Sequence, residues 1–288
     1  MTFFVATTTA ETLAALSFYG ILSGKLPSVN GILGSNQQND ELIAISPSLE
    51  IPPIDEIKPL LIASSSSFLR SVTLQIFLSG AASMVARGGG ALVTTSTAVN
   101  VAAHQIALQI WLLGSFICDS LAAASQTLIA SGIAKQNSNY VLKVSSTILN
   151  YSIGLGLVLS IIFFSLSSIP INGTNLLSNF FTNDIQVQNE FMKIIPLIII
   201  SQPLNSIVFA CDGILQGCAE FTYQAKGMVI SVSVAILFYY IVSSGSVDVD
   251  VDASLMHVWE ALIVLQGMRG IVSFVKIFDG DGPIKLKI

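Results

Sequence analysis

Charge is what this chain has least of. Only 10% of its 288 residues are Asp, Glu, Lys or Arg, 52% are hydrophobic, and the mean hydropathy is +0.76. A soluble domain carries about 25% charged residues. So few charges cannot cover a water-facing surface of this size, which excludes a soluble globule and leaves an integral membrane protein. The basic residues are scattered and form no patch, so a nucleic-acid partner is excluded as well. Cysteine is scarce: Cys118, Cys211 and Cys218 all fall in apolar runs. An odd number at membrane depth argues against a disulfide framework and for small packing residues. His104 and His257 have no partners at metal-ligand spacing, so no metal is expected. No Lys-Ser or Lys-Thr follows Gly88, Gly89 and Gly90, so that run reads as a tight turn and not a phosphate loop. No Ser/His/Asp set lies where catalysis would be shaped. The chain is not expected to be an enzyme or to hold a cofactor. Its first residues lack a basic n-region and carry Glu11, a poor secretory signal without the Arg of a transit peptide.

What is present is a series of long apolar runs. A membrane span needs roughly 20 mostly apolar residues. Seven candidates emerge, at about 3–24, 67–87, 98–131, 144–169, 191–217, 221–243 and 255–275. The first is the weakest, and the third is long enough to tilt or to extend past the interface. This divides the chain into a first span (1–26), a loop region (27–66), six further spans (67–275) and a tail (276–288). The loop region contains IPPIDEIKPLL, which suggests a short interfacial helix. If the spans alternate, one side receives Lys25, Lys58, Lys135, Lys143, Lys226, Lys276, Lys285 and Lys287; the other receives Arg87 and Lys193. That bias puts the C-terminus in the cytoplasm or its organellar equivalent and the N-terminus outside. A start of that kind suggests that earlier spans are missing.

Ionisable groups inside a bilayer cost about 3 kcal/mol or more each and are functional candidates by default. The chain offers Glu11, His104, Asp119, Asp212, Glu260, Arg70 and Arg269. At about 100° per residue, Gln105, Gln109, Ser115, Asp119 and Gln126 share an arc of roughly 120°, with His104 at its edge. Ile106, Ile110, Leu113, Ile117, Leu121 and Leu128 lie opposite, so the stripe is expected to turn away from lipid. His104 and Asp119 lie about 22 Å apart along the axis and cannot touch. His104 otherwise reads as an interfacial, snorkelling side chain. Asp119 is either functional or a protonated carboxyl hydrogen-bonded to a neighbouring helix. A second arc of roughly 80° carries Gln202, Asn205, Asp212 and Gln216 on one face. Pro196 and Pro203 free carbonyls there, and a broken helix of that kind can line a cavity. The structural alternative is a kink packed by Gly213 and Gly217, which leaves Asp212 unexplained. Asp119 and Asp212 fall at similar depth, consistent with one shared cavity. Glu260 and Glu11 read as interfacial, and Arg70 and Arg269 as snorkelling near cytoplasmic ends.

AAHQIALQIWLLGSFICDSLAAASQTLIASGIAKQN, from Ala102, resembles the eighth span of multidrug and toxic compound extrusion (MATE) transporters of the DinF-like branch. PLIIISQPLNSIVFACDGILQGCAEFTYQAK resembles the tenth span and the turn after it, and SFLRSVTLQIFLSGAASMVARGG is similar to the seventh. The resemblance implies an all-α membrane fold of two six-helix lobes around a central cavity. Small organic compounds leave in exchange for H+ or Na+. This chain would supply one lobe plus one extra span, spans six to twelve, with the N-terminal lobe as a missing partner beside the membrane lipid. Asp212 matches a tenth-span acid that some members use for cation coupling. The coupling acid better known in the DinF-like branch lies in the absent first span, and the seventh span lacks the Glu of other branches. Under the resemblance Asp212, with Asp119 nearby, is expected to load the cation, and Gln105, Gln109, Ser115, Gln126, Gln202, Asn205 and Gln216 to line the substrate cavity. The rivals are a lipid flippase of the same superfamily, a fragment without activity, and a seven-span receptor. The receptor lacks a mid-membrane Lys in the last span and a cysteine pair in the outer loops. Substrate, coupling ion and the choice between plasma and organellar membrane stay open.

Overall fold

The computed structural model describes residues 9, 12–17, 19–20, 53–87, 95–171, 173–245 and 251–279. The chain divides into two units, residues 1–57 and 58–288. In the first, residues 12–17 are helical; Glu11 and most of the expected first span and loop region lie outside the described residues.

Six long helices follow: α1 (Ile54–Arg87), α2 (Thr95–Ala134), α3 (Ser138–Ser168), α5 (Ile185–Gly217), α6 (Phe221–Gly245) and α7 (Val251–Phe278), with the short α4 (Leu176–Phe181) between α3 and α5. All six are long and apolar enough to cross a membrane, and the protein is a multi-pass, all-α integral membrane protein. The expected spans recur with longer ends. The clearest change is at α1, which begins at Ile54 instead of 67. Pro53 accepts from the amides of Glu56 and Ile57, and Asp55 and Glu56 sit in the first turn. Acids there favour a helix start through the dipole, so the expected interfacial piece is continuous with its span. The Gly88–Gly90 turn lies outside the described residues.

Local chemistry sets the turns. Asn137 caps α3 by accepting from Tyr140 N at 3.0 Å, and Asp184 caps α5 by accepting from Gln186 N at 2.8 Å. After α5 the chain reverses through Ala219 at φ 60, where Glu220 N donates to Leu215 O. Between α3 and α5, Pro170–Ile171 pairs antiparallel with Thr174–Asn175, a short ribbon not expected from the sequence.

α2 and α5 run parallel and pack at glycine distance. A Cβ on Gly213 would collide with the Ala122 backbone, and one on Gly217 would lie 2.9 Å from Gln126 O. The expected glycine packing is thus present. Both prolines sit inside a continuous α5. Pro203 has no N–H, so the Ile199 carbonyl loses its helical donor. Ser160 of α3 supplies the replacement at 2.8 Å. α3 approaches closely there because Gly156 faces Pro203, where a Cβ would lie 2.5 Å from Cα. The expectation of a broken, ion-coordinating helix is therefore corrected at this carbonyl, which a neighbouring hydroxyl already satisfies.

Two apolar clusters fill the bundle. One gathers Phe77, Trp111, Phe191, Ile198 and Trp259; the other gathers Ile129, Ile148, Ile214 and Ile277. Between them along α5 lie Ser201, Gln202, Asn205 and Ser206, all buried. A polar layer inside a membrane protein has to be paired internally, and the site grows from that requirement.

Candidate functional site

Asp212 is 5% exposed. Its Oδ2 accepts from Arg269 Nη2 at 2.5 Å, and Arg70 Nη1 lies 3.7 Å from the same oxygen. Gln224 Nε2 donates to the Asp212 carbonyl at 2.9 Å and to Oδ1 at 3.3 Å, while its Oε1 accepts from Arg70 Nη1 at 3.4 Å. Arg269 Nη1 donates to Gln266 Oε1 at 2.5 Å. From there Gln266 Nε2 donates to Asn205 Oδ1, Asn205 Nδ2 to Ser115 Oγ at 3.1 Å, and Ser115 Oγ to Trp111 O at 2.9 Å. One hydrogen-bonded chain thus ties α1, α6, α5, α7 and α2 together around a single carboxylate. Arg269 also lies over the Phe209 ring, 5.7 Å from its centroid.

This overturns the snorkelling expectation for two arginines. Arg269 is 5% exposed and Arg70 reaches inward. A buried carboxylate is tolerable only when paired, and these two arginines stand at the right level on the helices facing α5. Gln224 and Gln266 escaped the sequence reading altogether. The signal was available: Gln266 and Arg269 stand three residues apart on one helix face, and Asp212 required a cation.

The remaining candidates scatter. Ser115, Gln202 and Asn205 are buried, Gln126 and Gln216 half-buried, and Gln105, Gln109 and Asp119 exposed. Gln202 Nε2 donates to Ile198 O at 3.0 Å, and its side chain packs on Gly114. Gln202, Asn205 and Asp212 therefore face the interior of the bundle instead of an open cavity. The space lined by Arg70, Asp212, Gln224 and Arg269 is about 10 Å³, no more than one water needs. Gly213 meets Ala122, so Asp119 and Asp212 lie at similar depth, but Asp119 is exposed and Asp212 buried, so among the described residues the two do not face one space. His104 is 1% exposed, edge-on to Trp259 with centroids 5.9 Å apart, and neither ring nitrogen has a hydrogen-bond partner among the described residues. Its interfacial reading is also corrected: Trp259 and the apolar cluster that holds Trp111 cover it.

α2 presents two kinds of surface. Its buried side carries Thr97, Asn100, His104 and Ser115; its exposed side carries Gln105, Gln109, Asp119, Ser120 and Thr127 among apolar residues. The exposed side of α3 is apolar, with Ile153, Leu157, Val158, Ile161 and Phe164. A larger cavity of about 160 Å³ lies between α1, α6 and α7, lined by Phe77, Met84, Val232, Tyr239 and Val258 among others.

Membrane-crossing helices around an ion-paired polar core, with a polar stripe on an exposed face, describe a polytopic membrane protein with a buried charged centre. Residues 89–241 match the MatE family, and the chain belongs to it. Its members are transporters, not enzymes. The chain is similar to Protein DETOXIFICATION 43 of Arabidopsis thaliana, 32% identical over 216 residues, covering 74% of this chain and 36% of that relative. It is similar to Protein DETOXIFICATION 42, 28% identical over 215 residues, covering 75% and 38%. A third, Protein DETOXIFICATION 44, chloroplastic, is 26% identical over 254 residues, covering 86% and 43%. The chain thus spans less than half the length of these relatives.

Proposed function

We propose that residues 67–275 form the C-terminal lobe of a DinF-like antiporter that exports small organic compounds in exchange for H+ or Na+. In this reading residues 1–26 are the last span of a preceding lobe, 27–66 join the two, and 276–288 form a cytoplasmic tail. The observation that carries it is the exposed face of α2. Lipid offers no partner to Gln105, Gln109 or Asp119, so this face meets water or a second lobe, as the wall of a translocation path does. The chain covers little more than a third of two of its relatives, which supports a partner of comparable size.

Asp212 is the coupling acid in this reading because it contacts three helices besides its own. A change of partner at its carboxylate has a different free energy in two arrangements of those helices, which is what lets an ion gradient select between them. Asp119 acts on the cavity side. The test is ion-driven efflux of a fluorescent organic substrate from vesicles containing the chain together with its N-terminal counterpart. Asp212→Asn keeps the shape and removes the charge; efflux should fall to background while the protein stays in the membrane. Undiminished efflux would exclude Asp212 as the coupling acid.

A further inference from the structure

We infer that Arg269 is a tethered stand-in for the coupling cation at Asp212, so that Na+ does not bind there. This rests on the reading of Asp212 as the ionisable centre of the lobe and narrows the choice of ion.

The donor set carries the inference. A hard cation such as Na+ is held by several oxygen ligands. Around Asp212 the neighbouring groups turn N–H toward the carboxylate: Arg269 at 2.5 Å, the Gln224 amide at 3.3 Å, with Arg70 at 3.7 Å behind. Every side-chain carbonyl oxygen nearby already has a donor. Gln224 Oε1 faces Arg70, Gln266 Oε1 faces Arg269, and Asn205 Oδ1 faces Gln266. Among the described residues a sodium ion would find one carboxylate, the hydroxyls of Ser273 and of Tyr223, which already donates to Val272 O, and two guanidiniums repelling it. Arg269 meanwhile fills the seat as a cation should: charged, hydrogen-bonded to one carboxylate oxygen, and supported by Gln266 and the Phe209 ring. The charged and titratable groups facing Asp212 are Arg70 from α1 and Arg269 from α7, with Tyr223 of α6 lining the same small space. A cation acting at this carboxylate must first displace Arg269, and Na+ gains no full ligand shell in exchange.

Thermal unfolding of the purified chain in detergent tests this without any transport measurement. Wild type should melt at the same temperature in NaCl and in choline chloride. Arg269→Ala leaves a vacant, arginine-shaped seat beside an unpaired carboxylate. Its melting temperature should fall and then rise with the logarithm of added Na+ or low guanidinium, as binding to the folded state requires. Adding Asp212→Asn to that variant should remove the response. Arg269→Gln, which puts an uncharged amide in place of the cation, should gain the same Na+ response and preserves a readout if the alanine variant does not fold, whereas Arg269→Lys keeps a tethered cation and should stay indifferent to Na+. A wild-type melting temperature that rises with Na+, and loses the rise in Asp212→Asn, would overturn the inference. So would an Arg269→Ala protein that folds and responds to neither cation, because a simple structural salt bridge predicts that. Absent efflux would instead count against the antiport reading and leave these melting data untouched.

Discussion

Asp119 and Asp212 are the same residue on two parallel, tightly packed helices at similar depth, yet the fold treats them oppositely. Asp212 is buried and shared by two arginines and a glutamine. Asp119 stands on an exposed face with Gln105 and Gln109. The difference lies in what the neighbouring helices supply. α5 packs chiefly against α2, α3 and α7, and side chains from α1, α6 and α7 each bring a donor to Asp212. α2 packs against α5, α3 and α7, but the face that carries Asp119 is exposed in this bundle. Depth in the membrane therefore says little about an acid's role; the helices facing it decide.

The comparison breaks most severely at the buried member. Arg269→Leu leaves Asp212 with the neutral Gln224 amide and the longer Arg70 ion pair, and a buried ion pair that loses one partner costs about 3–5 kcal/mol. We expect a large drop in melting temperature and poor recovery of folded protein by size-exclusion chromatography. A wild-type-like melt would mean that Arg70 can replace Arg269 without loss. Next comes the glycine contact that presses α2 and α5 together. Gly213→Val puts a branched side chain into the Ala122 backbone, which cannot withdraw without moving a helix. Overpacking costs about 1–3 kcal/mol, and the upper end is expected here. Gly154→Ala, with nothing within 4 Å of the added carbon, is the control and should be neutral or stabilising. Smaller again is Ser160→Ala. It leaves the Ile199 carbonyl without a donor beside Pro203, a loss of about 1–3 kcal/mol, which should appear as a lowered melting temperature; Ser160→Thr, which retains the hydroxyl, should be milder.

The same contrast explains what could be read from the residues alone. Span positions were legible because bilayer thickness and apolar run length leave little freedom. The α2 stripe was legible as a stripe, but its direction was not. Gln105, Gln109 and Asp119 do share a face, yet Ser115, reckoned among them, turns inward to Asn205. An arc of roughly 120° is wide enough to straddle two environments, and periodicity cannot say where one neighbour ends. The Asp212 cluster was half legible. Its acid and its amide Asn205 were found by their positions on α5, while Arg70, Gln224, Gln266 and Arg269 come from three other helices, and no spacing within one helix encodes a contact between helices. A charge balance would have helped more than periodicity: a buried Asp requires a cation, and few intramembrane cations were on offer.

Asp119→Asn is the smallest expected change in stability and the most informative about the exposed face. The side chain is solvent- or partner-facing within this bundle, so removing its charge should alter stability by no more than about 0.5 kcal/mol. If the α2 face lines a water-filled path, the two aspartates should separate cleanly: Asp119→Asn keeps its melting temperature and loses efflux, whereas Arg269→Leu loses both. If instead this face packs against lipid, a charged Asp119 is a cost of about 3 kcal/mol in wild type. Asp119→Asn, and still more Asp119→Leu, should then raise the melting temperature in lipid nanodiscs and leave efflux intact. The sign of that shift distinguishes a cavity wall from a lipid face, because water rewards the carboxylate and hydrocarbon penalises it.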